Sequence, residues 1–470
     1  MNNKINEFNE HIKNKKVAVL GIGVSNRPLI KFLAALGVDI TAFDRSQRKE
    51  LGALPEELEG LGVKLSLGEN YLGGLKGFDV VFRTPGIRFD IPELVAEKSR
   101  GAEITSEMEV FFDLCPAQIF AVTGSDGKTT TTTLIYTILK EEGYNCWLGG
   151  NIGMPLLSRV HEIGETDKVV LELSSFQLHT MKASPDVAVI TNLSPNHLDV
   201  HKSMEEYVDA KKNIFRFQGD RKRFGRPKLV LNFDNGITRE LADGAAGEVV
   251  FFSRKDLLAQ GASIRENVLV YRSGGKEVEL VQSGHILIPG LHNVENYLAA
   301  AAATIDYVKP ETIRKVATTF KGVEHRIELV RELRGIKFYN SSIDSSPSRT
   351  IAALRTFKQK VILIAGGKDK GIPYDEIGEP VLENVKCLVL IGATAPKIEQ
   401  AVDEAAARSG KQAAMPIFRC GTYEEAVNRA YSNAAEGDIV LLSPASTSFD
   451  MFKNFEERGR TFKQIVENLK

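Results

Sequence analysis

The segment AVTGSDGKTTTT, residues 121–132, has the residue types of a phosphate-binding loop at an unusual spacing. The general pattern G-x-x-x-x-G-K-[ST] uses a longer spacer; here only Ser125 and Asp126 stand between Gly124 and Gly127. The chemistry still follows. Gly124 and Gly127 permit a tight backbone that points successive N–H groups at phosphate oxygens. Lys128 adds a mobile cation for terminal phosphates, and Thr129 a hydroxyl for Mg²⁺. The helix that opens through Thr130 favours an anion at its start. The alternative is a glycine turn that only caps a helix. Its place between an apolar strand and a threonine-rich helix favours the phosphate reading.

Other residues offer chemistry at separate points. Glu172 interrupts an apolar run, VVLELSS; a carboxylate there is costly to bury unless paired or bound to metal, and hard Mg²⁺ takes such an oxygen. An exposed edge-strand glutamate is the alternative. His197, in SPNHLDVH, sits in a loop as either ligand or ordinary surface histidine. In SMEEYVDAKKNIF, Ser203 and Glu206 form a capping-box pattern. Lys211 falls on the apolar stripe of Met204, Tyr207, Val208, Ile214 and Phe215, whereas Lys212 points elsewhere. A lysine held among apolar neighbours becomes a neutral nucleophile; otherwise it snorkels past the core. Asn293 and Asn296 lie near a helix start, one suited to capping and the other to facing a base. Arg326 suits a phosphate clamp or an interdomain salt bridge. LGIGVSN has G-x-G but places Asn26 where a dinucleotide fingerprint has its third glycine, which makes it a weak NAD signal. Asp44 ends the next strand, either solvated or accepting from a ribose or uracil.

The elements that position these residues alternate. KKVAVLGIGVSNRPLIKFLAALGVDITAFD reads as strand, helix and strand. A second alternation starts after Cys115 and Pro116, with the apolar runs QIFAVT, KVVLELSS and DVAVITNLS typical of buried parallel strands. Residues 222–285 read as an antiparallel insertion, and a third alternation follows from about residue 322. The expected fold is α/β in three domains: 1–113 and 322–470 Rossmann-like, and 114–321 a P-loop-type ATPase domain with a parallel sheet plus a small antiparallel sheet. In open α/β sheets ligands gather at the carboxyl ends of strands, where the phosphate loop, Glu172 and His197 all fall. A length of 470 residues suits several cores. The net charge of −1 disfavours nucleic acid and anionic membrane. Four dispersed cysteines, a polar start and no membrane-length apolar run suggest a cytoplasmic protein.

The segments GSDGKTTTT, ELSSFQL, TNLSPNHLDVH, YVDAKK, GLHNVENYLAA, HRIE and LLSPASTSFDMFKNFEERGRTF occur in order along nearly the whole chain. Together they resemble the Mur ligases, and the last most resembles the members that add D-glutamate to UDP-N-acetylmuramoyl-L-alanine. The resemblance implies a monomeric ATP-dependent, amide-forming ligase working through an acyl phosphate. By position it implies ATP contacts at Gly124, Ser125, Asp126, Gly127, Lys128, Thr129, Thr130, Asn296, Arg326 and Asp344. It implies one Mg²⁺ on Thr129 and Glu172, a second at His197, and a carbamylated Lys211 orienting metal. The first domain would hold UDP rather than NAD, through Val24, Ser25, Asp44, Arg45, Thr84 and Gly86. Asn151 and Gln177 match contacts to the muramoyl part, and Lys370, Ser448, Phe449 and Phe455 the site for glutamate. The chain departs from the family at Asp126, where Asn is usual. It departs again in YNSSIDSSPSRT, where Ser341 and Ile343 replace an expected Asp and Lys and an acidic group is displaced to Asp344. Readings that stay open are a sibling adding another amino acid, a folate-type glutamate ligase, a non-catalytic paralogue, and an oxidoreductase that would bind NAD without ATP.

Overall fold

The computed structural model describes residues 3–195, 200–219, 224–408 and 415–470. Twenty strands among them form three sheets. The first contains β1 (Lys16–Leu20), β2 (Asp39–Asp44), β3 (Lys64–Leu67), β4 (Val80–Arg83) and β5 (Glu103–Thr105). All are parallel, in the order β3-β2-β1-β4-β5. Val17–Leu20 of β1 are buried, as a strand covered on both faces requires. Helix Asn26–Ala35 turns Leu29, Ile30 and Leu33 inward at helical spacing.

The second sheet contains β6 (Gln118–Thr123), β7 (Cys146–Gly150), β8 (Lys168–Glu172), β9 (Val187–Ile190), β10 (Lys228–Asn232), β11 (Glu248–Phe252), β12 (Gly261–Arg265), β13 (Val268–Ser273) and β14 (Lys276–Gln282). Its order is β14-β13-β12-β11-β10-β9-β6-β8-β7. The antiparallel part is smaller than the 222–285 expected. β10 and β11 run parallel to β9, and antiparallel pairing begins at β12 with β13, within the same sheet. The third sheet contains β15 (Glu328–Leu333), β16 (Ile336–Asn340), β17 (Val361–Ala365), β18 (Val385–Ile391), β19 (Ile417–Cys420) and β20 (Ile439–Leu442), ordered β15-β16-β20-β17-β18-β19. Only β15 is antiparallel to its neighbour.

Two compact units result: Met1–Val281 with Glu295–Val316, and Gln282–Val294 with Ala317–Lys470. Helix Asn3–Lys13 precedes the first strand, with Ile12 buried and Ile5 and Phe8 against the same core. No helix among the described residues is long and apolar enough to cross a membrane.

Candidate active site

β6 lies between β9 and β8, so the loops after these three strands open at neighbouring carboxyl ends. The loop after β6 is the phosphate-loop candidate, and both its glycines are sterically required. A Cβ on Gly124 would fall 1.9 Å from Thr191 Oγ1, and one on Gly127 would fall 2.4 Å from Asn296 Oδ1. Gly127 also has a φ of 76° and caps helix Lys128–Glu142. The loop after β9 holds this turn in place. Asn192 O accepts from the Ser125 amide at 2.8 Å, and Asn192 Oδ1 from that of Asp126 at 3.0 Å. Ser125 Oγ lies 3.0 Å from both Ser194 O and Tyr207 Oη, so its side chain braces the loop. The Asp126 side chain points outward. Lys128 Nζ donates to the Gly124 and Ser125 carbonyls at 3.0 and 2.9 Å. The threonine run suits its helix because Thr132 and Thr133 hydroxyls bond back to the Lys128 and Thr129 carbonyls.

Glu172 ends β8, paired on both sides and 2% exposed, which excludes the edge-strand alternative. Its Oε1 accepts from Asn151 Nδ2 at 2.8 Å, while Oε2 is buried with no hydrogen-bond partner. An orphaned buried carboxylate oxygen is costly in a folded protein, and a divalent cation is the partner that fits it. Lys211 lies on helix Met204–Arg216 and is 1% exposed, so its amine does not snorkel to solvent. Nζ donates to Thr123 Oγ1 at 2.9 Å and Gly124 O at 3.0 Å, and sits 4.8 Å above the Tyr207 ring. Burial, then the charge of Lys128, push this amine well below the ordinary lysine range, and Glu172 pulls the other way. A neutral amine with two N–H bonds made keeps one lone pair. The expected capping box is half formed: Ser203 Oγ accepts from the Glu206 amide, but Glu206 Oε2 accepts from Lys202 N. His197 lies outside the described residues.

Asn296 is buried and accepts from Thr131 Oγ1 at 3.2 Å; Asn293 Nδ2 donates to Pro289 O at 2.6 Å. In the first sheet Asp44 is not a solvated strand end. Its two oxygens accept from the Ile22 amide at 2.7 Å and the Ser46 amide at 2.8 Å. Asn26, in place of the third glycine, is buried and donates to the Leu20 and Gly21 carbonyls, which fixes the turn. Val24 is largely exposed, Arg45 is exposed and Ser25 half-buried, and Thr84 and Gly86 follow β4. Arg83, which sequence reasoning missed, is buried. It donates to Thr84 O and Ile87 O and, at 3.1 Å, to Thr180 Oγ1, beyond the helix that carries Gln177. Gln177 Oε1 accepts from Ser174 N and completes a capping box.

The second unit gathers the remaining candidates. Arg326 sits between His325 and Ile327, both at positive φ, with its amide donating to Val323 O. Asp344 is buried and accepts from Ser443 Oγ at 2.8 Å; burial pushes its carboxyl up to about 6. The Lys368 amide donates to Thr447 O at 2.8 Å, which joins the loop carrying the exposed Lys370 to the one carrying the buried Ser448. Phe449 is exposed and Phe455 half-buried. Arg458, fully buried, ties these segments together. Its guanidinium donates to Ser342 Oγ, Ser342 O and Ser446 O, and Ser342 Oγ donates to Phe455 O. The signal that marked Lys211 was present here too, since Arg458 shares a stripe with Phe455, Phe462 and Val466.

Known protein families match most of the chain. Residues 15–106 match the MurD-like N-terminal domain of Mur ligases, 122–304 the Mur ligase middle domain, and 325–446 the Mur ligase glutamate ligase domain. A UDP-N-acetylmuramoylalanine–D-glutamate ligase of Acetivibrio thermocellus is 65% identical over 469 residues, covering 100% of both chains. One of the same name from Ruminiclostridium cellulolyticum is 62% identical, again over 100% of both. In fold, the chain is similar to the crystal structure of a UDP-N-acetylmuramate–alanine ligase from Thermotoga maritima, with a TM-score of 0.55 at 20% identity over 97% of this chain and 100% of that one. The chain belongs to the Mur ligase family.

Proposed function

We propose that the chain is an ATP-dependent ligase joining D-glutamate to UDP-N-acetylmuramoyl-L-alanine in cytoplasmic peptidoglycan-precursor synthesis, acting as a monomer. The observation that carries this reading is the arrangement at the ends of β6 and β8. A phosphate-loop turn, a buried carboxylate oxygen with no partner and a buried lysine whose amine burial pushes well below the ordinary lysine range stand side by side. The full-length relatives named for this reaction support the choice of substrates.

In this reading residues 1–113 hold the UDP part, 114–321 the ATP and 322–470 the incoming amino acid. Ligases of this family use ATP and Mg²⁺. Thr129, Glu172, His197 and Lys211 as its carbamate would hold the metal at two sites, and Mg²⁺ there supplies charge neutralisation for the phosphates. The Lys211 lone pair adds to CO₂, and loss of a proton leaves a carbamate that faces Glu172 with a second anionic group. Lys128 and the loop amides offset charge on the transferring phosphoryl group. Asn296, Arg326 and Asp344 contact the nucleotide. Val24, Ser25, Asp44, Arg45, Thr84, Gly86, Asn151 and Gln177 orient the UDP-sugar, while Lys370, Ser448, Phe449 and Phe455 hold the glutamate.

The substrate carboxylate oxygen attacks the γ-phosphorus and the bond to the ADP oxygen breaks. The glutamate amine then attacks the acyl carbon, gives up a proton, and the carbon–oxygen bond to phosphate breaks. Oxygen-18 in the attacking carboxylate tests the sequence. One labelled oxygen is expected in the released phosphate, together with the mass of one glutamate residue on the UDP-sugar. Unlabelled phosphate alongside the amide product would refute the acyl phosphate.

A further inference from the structure

Beside the phosphate-loop region, His179, His201 and Glu206 offer three donor atoms within 4.8 Å of one another. His179 Nε2 and Glu206 Oε1 stand 3.4 Å apart. That is close to the roughly 3.3 Å edge of a tetrahedron whose metal bonds are about 2.0–2.1 Å long. His201 is 2% exposed, and its Nδ1 has no hydrogen-bond partner. Its Nε2 lies 2.9 Å from Ser175 Oγ. A proton on Nε2 donated to Ser175 leaves the Nδ1 lone pair available, the arrangement that fixes a metal-ligating imidazole.

The surroundings favour ligation over protonation. His201 stacks on Phe176 at 5.2 Å and meets the Tyr207 edge at 5.3 Å, while Phe89 packs on His179 at 4.6 Å. Burial keeps both imidazoles below the ordinary histidine range. Glu206 also receives Arg88 at 3.0 Å, but that guanidinium is held by Asp90 at 2.8 and 3.0 Å, and Lys202 pairs with Asp90. Within this group two cations and two carboxylates cancel, while Arg83 and Lys211 add positive charge from further off. The other His/Glu group among the described residues, Glu324, His325 and Glu328, is different. There Lys463 pairs with both carboxylates, and Asn340 Nδ2 donates to His325 Nδ1.

We infer that His179, His201 and Glu206 form a binding site for a transition-metal dication of the zinc class, separate from the residues proposed to hold Mg²⁺, with water completing the coordination. Such an ion would staple the end of helix Ser175–Leu178 to the first turn of helix Met204–Arg216, which carries Lys211.

The test is titration of the full chain with CoCl₂ at neutral pH in excess MgCl₂, read by visible d–d absorption and by calorimetry. One equivalent of four-coordinate Co²⁺, displaced by Zn²⁺, is expected. His179→Gln and Glu206→Gln should each weaken it by more than the roughly 10–100-fold that losing a partner of a ligand costs, while Glu172→Gln retains it. His179 is partly exposed, so circular dichroism of that variant should match the parent. Absence of a four-coordinate spectrum, or a spectrum lost in Glu172→Gln and kept in His179→Gln, would overturn the assignment.

Discussion

Replacing Asp344 with asparagine tests how the displaced acid of the 341–344 segment is held. Burial pushes its carboxyl up to about 6 from an ordinary 3.8, against the opposing pull of the Ser341 and Ser443 hydroxyls and of Arg326 and Arg349. A raised carboxyl favours the fold while protonated. That stability is present below the unfolded value near 3.8 and is lost as pH rises through 6. At about 1.36 kcal/mol per pH unit, the full loss is about 3 kcal/mol, of which about 1.4 kcal/mol falls between pH 5 and pH 8. The asparagine carbonyl can accept from Ser443 Oγ, and its amide can donate to Ser341 Oγ, so packing cost is small. Any residual cost is the same at both pH values and cancels in the comparison. Urea unfolding followed by circular dichroism should therefore show Asp344→Asn gaining about 1.4 kcal/mol on the parent from pH 5 to pH 8. Trp147 is the sole tryptophan and lies in the other unit; its fluorescence transition should show no such gain. An equal difference between variant and parent at both pH values would refute the buried, raised carboxyl.

Three other outcomes follow from the geometry. Gly127→Ala places a methyl carbon 2.4 Å from Asn296 Oδ1 at a φ of 76°. The backbone alone costs about 1–2 kcal/mol, and ATP affinity by calorimetry should fall about 10-fold or more; unchanged affinity would clear the loop of a binding role. Lys211→Ala should lose ligase activity, and short carboxylates such as acetate should partly restore it; a folded variant that no carboxylate rescues would count against the carbamate. Arg83→Met removes the bonds to the Thr84 and Ile87 carbonyls and to Thr180. It should raise the KM for the UDP-sugar several-fold with ATP affinity unchanged, and an unchanged KM would separate Arg83 from that pocket.

Much of the site was legible because its residues break local patterns. Glu172 interrupts a buried strand, Lys211 sits on an apolar helix stripe, and the phosphate loop lies between a strand and a helix. Arg458 carried the same signal as Lys211 and was overlooked, as was the Ile5, Phe8, Ile12 spacing of the first helix. Other features depend on partners far along the chain. Nothing in the residues of β10 and β11 states that they extend the parallel sheet, because strand direction is settled by the crossovers around them. Asn26 was visible as a missing glycine, but its bonds to Leu20 and Gly21 need the folded turn. Glu206 had the spacing of a capping residue, yet its carboxylate turned to the Lys202 amide and Arg88. His179 and His201 lie on different segments, so no spacing rule joins them.

The central claim is an ATP-driven ligation of D-glutamate, and phosphate release tests it most directly. The chain is incubated with ATP, Mg²⁺ and UDP-N-acetylmuramoyl-L-alanine, and D-glutamate is compared with L-glutamate, L-lysine and diaminopimelate. Release with D-glutamate alone, matched by one glutamate residue of added mass on the UDP-sugar, is the predicted result. Release with another of these amino acids in its place, or silence with all four while ATP still binds, would contradict it.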